Sequence, residues 1–299
     1  MAKFQIYTYM FRPVMEKQQE IPFEEFEQID VQESLDRKQE LTGKILDNEE
    51  RLKFEFNDTE YEHETYISKS GIYMFRIANN GHEPQKREFG FKVITETNHP
   101  SSLVIIDNRK DRQVIAVEDK GNKSAFKKKL PLTDIIQATL RKKLQGYRLT
   151  LDISPKYHTS SFWQVVDVAM KMKGIEVVEF PFPYPNLPVI PNMAGEYFAD
   201  VARRTNSEAT LKLEGQNKES VRLNKEDLWV LNAVKACAAS GRPILIKPKG
   251  SAKKEIGVEN PVFEEIPNAA LTGLDQKDLF DSKFQAIVEF LNKIKLVYE

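Results

Sequence analysis

The sequence predicts a mixed protein, α/β or α+β: a mixed β-sheet with flanking helices, a β-rich N-terminal part and a more helical C-terminal part. Three observations carry this. Short runs rich in β-branched and aromatic residues recur through the first 120 positions. From position 132 onward apolar residues fall at three- and four-residue spacing. Between 101 and 180 the pattern reads hairpin, helix, strand, helix, strand, as in layered folds where helices cover a sheet.

Residues 3–12 (KFQIYTYMFR) carry bulk on both alternating sides, which predicts a strand buried on both faces and ended by Pro13. Leu35, Leu41 and Ile45 space a helix over 34–46, with Ser34 as its N-cap. Runs at 51–56, 71–77 and 88–94 read as strands. Residues 57–63 suit an exposed loop, Asn79-Asn80-Gly81 a turn, and 73–92 a hairpin with a long loop. The runs 103–106 and 114–117 flank a polar tip and predict the central strand pair of the fold.

Ile135, Ile136, Thr139, Leu140 and Leu144 share one face of a helix over 132–144. Thr133 or Asp134 caps its start, and Gly146 its end. A strand at 148–153 leads to a helix starting at Ser160 or Ser161 and stopped by Gly174, its face lined by Phe162, Val165, Val166, Ala169 and Met170. A strand at 175–180 precedes the proline run 181–191, which reads as a rigid surface connector and contains a PxxP element. Beyond it come a helix at 192–205 and a short hairpin from 209–213 and 220–223. Asn224 then caps a helix at 226–239, followed by a strand at 244–246, a basic loop at 247–254, an irregular stretch at 261–276 and an amphipathic helix at 282–297. The expected organisation is a β-rich part with an acidic helical segment over 1–100, a core over 101–190, and a mostly helical part over 191–299 packed on that core.

The 299 residues, 40% hydrophobic and 30% charged, describe a globular chain. No apolar run approaches the ~20 residues that span a bilayer, so no membrane contact is expected. The N-terminus reads as a strand and not as a signal peptide. The single cysteine, Cys237, forms no intrachain disulfide and suits core packing in a reducing, cytoplasmic compartment.

A net charge of −1 hides a strong asymmetry. Residues 16–64 hold 17 acidic and 6 basic side chains, whereas 109–148 hold 12 basic and 4 acidic. One reading is a polyanion partner for the basic part: Arg109, Lys110, Arg112, Lys123, Lys127, Lys128, Lys129, Arg141, Lys142 and Lys143 are the candidate phosphate contacts. The other is that the two segments neutralise each other within the fold. Lys247, Lys249, Lys253 and Lys254 make a later basic patch.

Chemistry has one candidate location. Glu118-Asp119-Lys120 ends the second central strand, and acid–x–Lys at such a position resembles half of the arrangement used by metal-dependent nucleases. Glu118 and Lys120 are the candidate catalytic pair, with Mg²⁺ as cofactor only under that reading. The other carboxylate of the strand pair, Asp107, falls at the far end. The four histidines are scattered without metal-ligand spacing, and GxGxxG, Walker A and GxSxG motifs are absent.

The leading expectation is a nucleic-acid-interacting protein, an accessory or effector component of a bacterial defence or mobile-element system. A second is a non-catalytic protein-interaction subunit that docks partners through the acidic 16–64 region or the proline run. A third is the Mg²⁺-dependent nuclease.

Overall fold

A computed structural model describes residues 1–14, 30–48, 50–79, 83–89, 92–98, 100–126, 131–185, 192, 195–257, 259–273 and 280–299, with backbone alone for 83–89 and 92–98. The protein is mixed α and β, and the strands pair antiparallel throughout its sheets.

The first strand, β1 (Ala2–Pro13), is the keystone. Its bulky alternation predicted burial on both faces, and Phe4, Ile6, Thr8, Tyr9, Met10 and Phe11 are all buried. Along one edge β1 pairs with β9 (Val114–Glu118). Along the other, its C-terminal half pairs with β10 (Leu149–Pro155) and its N-terminal end with β15 (Phe263–Ile266). Beyond β9 come β8 (Ser101–Asp107), β5 (Ile72–Ala78) and β4 (His63–Lys69). Strands from all three expected segments therefore build one seven-stranded sheet.

The central strand pair forms as the sequence predicts, with Asp107 opposite Val114. The region before it differs. The run at 88–94 is not one strand: β6 (Glu83–Phe89) and β7 (Lys92–Asn98) form their own hairpin. Consequently β5 pairs with β8 instead of folding back within 73–92. Residues 57–63 carry a short strand, β3 (Thr59–Tyr61), paired with β2 (Phe54–Phe56).

Three buried clusters meet at β1. Odd-numbered Tyr9 and Phe11 join the first, beneath α2 (Lys38–Leu46) and α3 (Leu132–Leu144). Even-numbered Phe4 and Ile6 join a second, covered by the C-terminal helix α7 (Phe280–Lys293) through Ile287 and Leu291. Met10, on the same side and further along, joins a third. That third core belongs to a smaller sheet of β12 (Ala209–Glu214), β11 (Ile175–Phe182), β13 (Ile244–Pro248) and β14 (Lys254–Ile256), packed by α4 (Thr159–Met172) and α6 (Leu228–Ser240). Period-2 alternation thus assigns consecutive residues of one strand to different cores.

Caps moved from their expected places. The helix expected over 34–46 is two, α1 (Val31–Asp36) and α2, and Asp30 rather than Ser34 caps the first by accepting from Gln32 N–H. Ser34 is buried inside the turn. Pro131, with no side-chain hydrogen bond, occupies the cap of α3, and the left-handed residue that ends this region is Arg148, not Gly146. The expected partner strand at 220–223 is absent; β12 pairs with β11 instead. At α6 the cap is Asp227, whose Oδ1 accepts from Trp229 N–H at 2.8 Å, while Asn224 makes a turn bond to Glu226 N–H. Asp227→Ala is expected to cost about 1 kcal/mol in urea unfolding, because two first-turn N–H groups lose their acceptor. Asn224→Ala should cost clearly less.

Among the described residues no helix is long and apolar enough to cross a membrane. α5 (Glu196–Thr205) follows the proline run, of which 186–191 lie outside the described residues.

Candidate functional site

The strand end that carries acid–x–Lys is closed on itself. Glu118 Oε2 lies 3.0 Å from Lys120 Nζ and accepts from the Leu103 N–H at 3.0 Å. Lys120 Nζ also donates to the Ser101 carbonyl at 3.2 Å. Asp119 is occupied by the Gly121 N–H and the Ser124 hydroxyl. A metal at Glu118 would have to displace Lys120. Among the described residues no group of three or more His, Cys, Asp and Glu side chains is gathered to hold a metal ion.

Asp107, at the far end of the strand pair, is an internal charge partner. Its carboxylate is fully buried and meets Arg109 Nη2 at 2.7 Å and Arg112 Nε at 3.0 Å. Burial alone would raise its pKa; the hydrogen bonds and charges of the two arginines outweigh burial and hold it below the ordinary carboxylate value. Arg112 continues to the Leu291 and Ile294 carbonyls, tying the hairpin tip to the end of α7. Arg109 reaches Asn292 Oδ1 at 3.1 Å. Both arginines are bound within the fold.

The rest of the basic segment divides. Arg141 joins Arg12 and Arg242 around Asp152, with Glu208 against Arg242. Lys142 pairs with Glu55 of the acidic region, and Lys143 donates to the Arg51 carbonyl at 3.1 Å. Lys110 and Lys123 are exposed and form no ion pair among the described residues. They lie at opposite ends of the central hairpin, Lys110 beyond its tip and Lys123 beyond the end of β9. Lys127, Lys128 and Lys129 lie outside the described residues.

A lysine-bearing surface lies on α4. Of the inner face the sequence implies, Phe162, Val166 and Ala169 are buried in the third core and Val165 packs partly buried against it, whereas Met170 is 42% exposed. A second apolar row runs along the helix at Val165, Val168 and Met172, spaced three and four apart. Val168 is 59% and Met172 75% exposed. Gly174, at φ +86°, stops the helix. Its carbonyl accepts from the Lys249 N–H at 3.0 Å, which ties the β13–β14 turn to the helix end. Between them lies a groove of about 600 Å³. Val165, Val168, Ala169 and Met172 line it from the helix; Lys173, Lys249 and Lys254 stand around it, and among the described residues no carboxylate does. Lysines at 171 and 173 suit the negative end of the helix dipole. Lys254 comes from a different element, β14, and has no such explanation.

The sequence pattern places Val165 on the inner face, and it does pack against the third core while also lining the groove. The signal passed over in the sequence was surplus: α4 has more apolar residues than one face can bury. No family model matches this chain, and no curated protein is similar to it.

Proposed function

We propose that the protein is an interaction subunit that recognises a protein partner through the outer row of α4 and the adjoining β13–β14 turn. The observation that carries this reading is the pairing of two strongly exposed apolar side chains, one helical turn apart, with Lys173 and, from a second element, Lys254, and with no carboxylate lining the groove among the described residues. Scattered exposed apolar residues need no explanation, but a row with an organised charged border marks a binding surface. The location of several basic side chains supports the same choice: Arg109 and Arg112 are paired with the buried Asp107, Arg141 with the largely buried Asp152, and Lys142 with Glu55 at the surface.

The test compares the wild-type chain with Met172→Glu, which alters an exposed position and leaves the inner face of α4 intact. Tagged and purified side by side from their native cells, the two should differ in one stoichiometric partner, absent from the variant. Equal recovery of every partner by both chains overturns the reading.

Contact with nucleic acid is the second reading, favoured by Lys110 and Lys123, which are exposed and form no ion pair among the described residues, within a segment of strong positive balance. It predicts oligonucleotide binding that falls steeply with salt, and a shallower salt slope in a Lys110→Glu/Lys123→Glu chain. Mg²⁺-dependent cleavage abolished by Glu118→Ala and by Lys120→Ala would promote the nuclease reading.

A further inference from the structure

We infer that the occupant of the α4 groove is an acidic amphipathic helix of the partner protein, with apolar side chains on Val168 and Met172 and carboxylates toward Lys173 and Lys254; this assignment rests on the interaction reading above.

The first argument is shape. Val165, Val168 and Met172 span eight residues, seven rises or about 10 Å of helix at 1.5 Å per residue. Two turns of an incoming helix match that length, and side chains three and four apart form the ridge that packs into such a row. The second argument is charge. Lys173 and Lys254 border the groove, and among the described residues no acid lines it. The nearby Glu176 and Glu179 are paired with Lys247 and Lys253. Glu255 follows Lys254 on β14, and successive strand residues point to opposite faces. A partner that brings carboxylates gains on-rate and register, and a basic one is repelled.

The alternatives fit less well. A second copy docking by the same patch would form a self-complementary twofold contact and bring lysines against lysines. A single-stranded nucleic acid needs aromatic platforms for its bases, and no aromatic side chain lines the groove. A lipid surface favours aromatic anchors, whereas the exposed Trp229 and Tyr197 lie on other helices.

The experiment selects random displayed peptides of about 15 residues, roughly four helical turns, on the full wild-type chain. Enriched sequences are then synthesised and titrated by fluorescence polarisation against wild type, Met172→Glu and Lys173→Glu/Lys254→Glu. The expected result is enrichment of acidic residues around apolar ones spaced three or four apart. Affinity should fall at least about tenfold with either variant, while circular dichroism is unchanged. Peptides that depend on Met172 but carry no acidic excess overturn this assignment and leave the interaction reading standing. Failure to select any Met172-dependent peptide sinks both. A dimer in sedimentation velocity that Met172→Glu disperses assigns the groove to a second copy. Binding of phosphatidylserine vesicles or of an oligonucleotide, lost in the double lysine variant, assigns it to an anionic surface. Either outcome overturns the helix.

Discussion

Replacing Asp107 with alanine should lower the unfolding free energy by about 3–5 kcal/mol, the cost of removing one partner from a buried ion cluster. Three consequences add up at this position. Arg109 and Arg112 lose the carboxylate that balances them. Arg112 still reaches the Leu291 and Ile294 carbonyls, so its charge stays at the junction of hairpin and α7. Its neighbour there is the buried Lys156, on which its positive charge already bears. Asp107→Asn keeps the shape and one acceptor oxygen and should cost less than alanine. The pH dependence has a fixed sign. The folded carboxyl lies below its ordinary value, so its contribution is complete above about pH 4 and is lost as pH falls through the folded value. Urea unfolding of wild type and Asp107→Ala from pH 7 down to pH 3 should show their difference shrinking below about pH 4. A difference under about 1 kcal/mol at pH 7 would mean that water replaces the carboxylate around both guanidiniums.

What the sequence made legible follows from range. α3, α4, α6 and α7 were readable because their buried rows recur every three or four residues, a signal contained within one helix. The double-sided bulk of β1 announced its burial. It could not announce its neighbours: Phe4 pairs with Glu118 and with Glu264, and those pairings are set by side-chain fit between distant segments. The hairpin of β6 and β7 shows the same limit at short range. Its two strands meet within the run at 88–94, and an apolar run does not say where a chain reverses.

Charge was legible in sum and not in direction. Arg109 and Arg112 were counted as phosphate contacts because they lie in a basic segment. Their spacing held the other answer: arginines two and five residues after an acid that ends a buried strand can fold back on it. Lys142 reached Glu55 across 87 positions, which no local pattern encodes. The groove was half legible. Val168 and Met172 sit in the sequence as apolar residues beyond the needs of one helix face, but the lysines that border them arrive from β13 and β14, held by one backbone bond from Lys249 to Gly174.

Lys156 was passed over entirely, and it sets the second large prediction. Its side chain is 1% exposed, and its amine donates to the Leu296 carbonyl at 2.8 Å and the Ala239 carbonyl at 3.4 Å, with no carboxylate beside it. Burial, with a smaller push from Arg112, lowers its pKa from 10.5 to about 7. Above pH 7 the folded chain therefore releases this proton while the unfolded chain keeps it, so stability rises with pH. Other groups oppose the rise. The Cys237 thiol is pushed up by burial, and Tyr7 is raised to about 12, so both keep protons that the unfolded chain loses at high pH. The raw stability curve should flatten near pH 9 and fall beyond it. Comparison with Lys156→Met removes those shared contributions. Wild type should gain about 2 kcal/mol on the variant between pH 7 and pH 9, half a proton of slope at the start and nearly a full one at the end. The sign of the difference at pH 7 itself depends on two opposed effects. Methionine removes the cost of burying a charge and leaves the two carbonyls without a donor. The slope is free of that ambiguity: parallel curves from pH 7 to pH 9 would mean that Lys156 stays protonated in the folded chain and that its two carbonyls suffice to hold a buried ammonium.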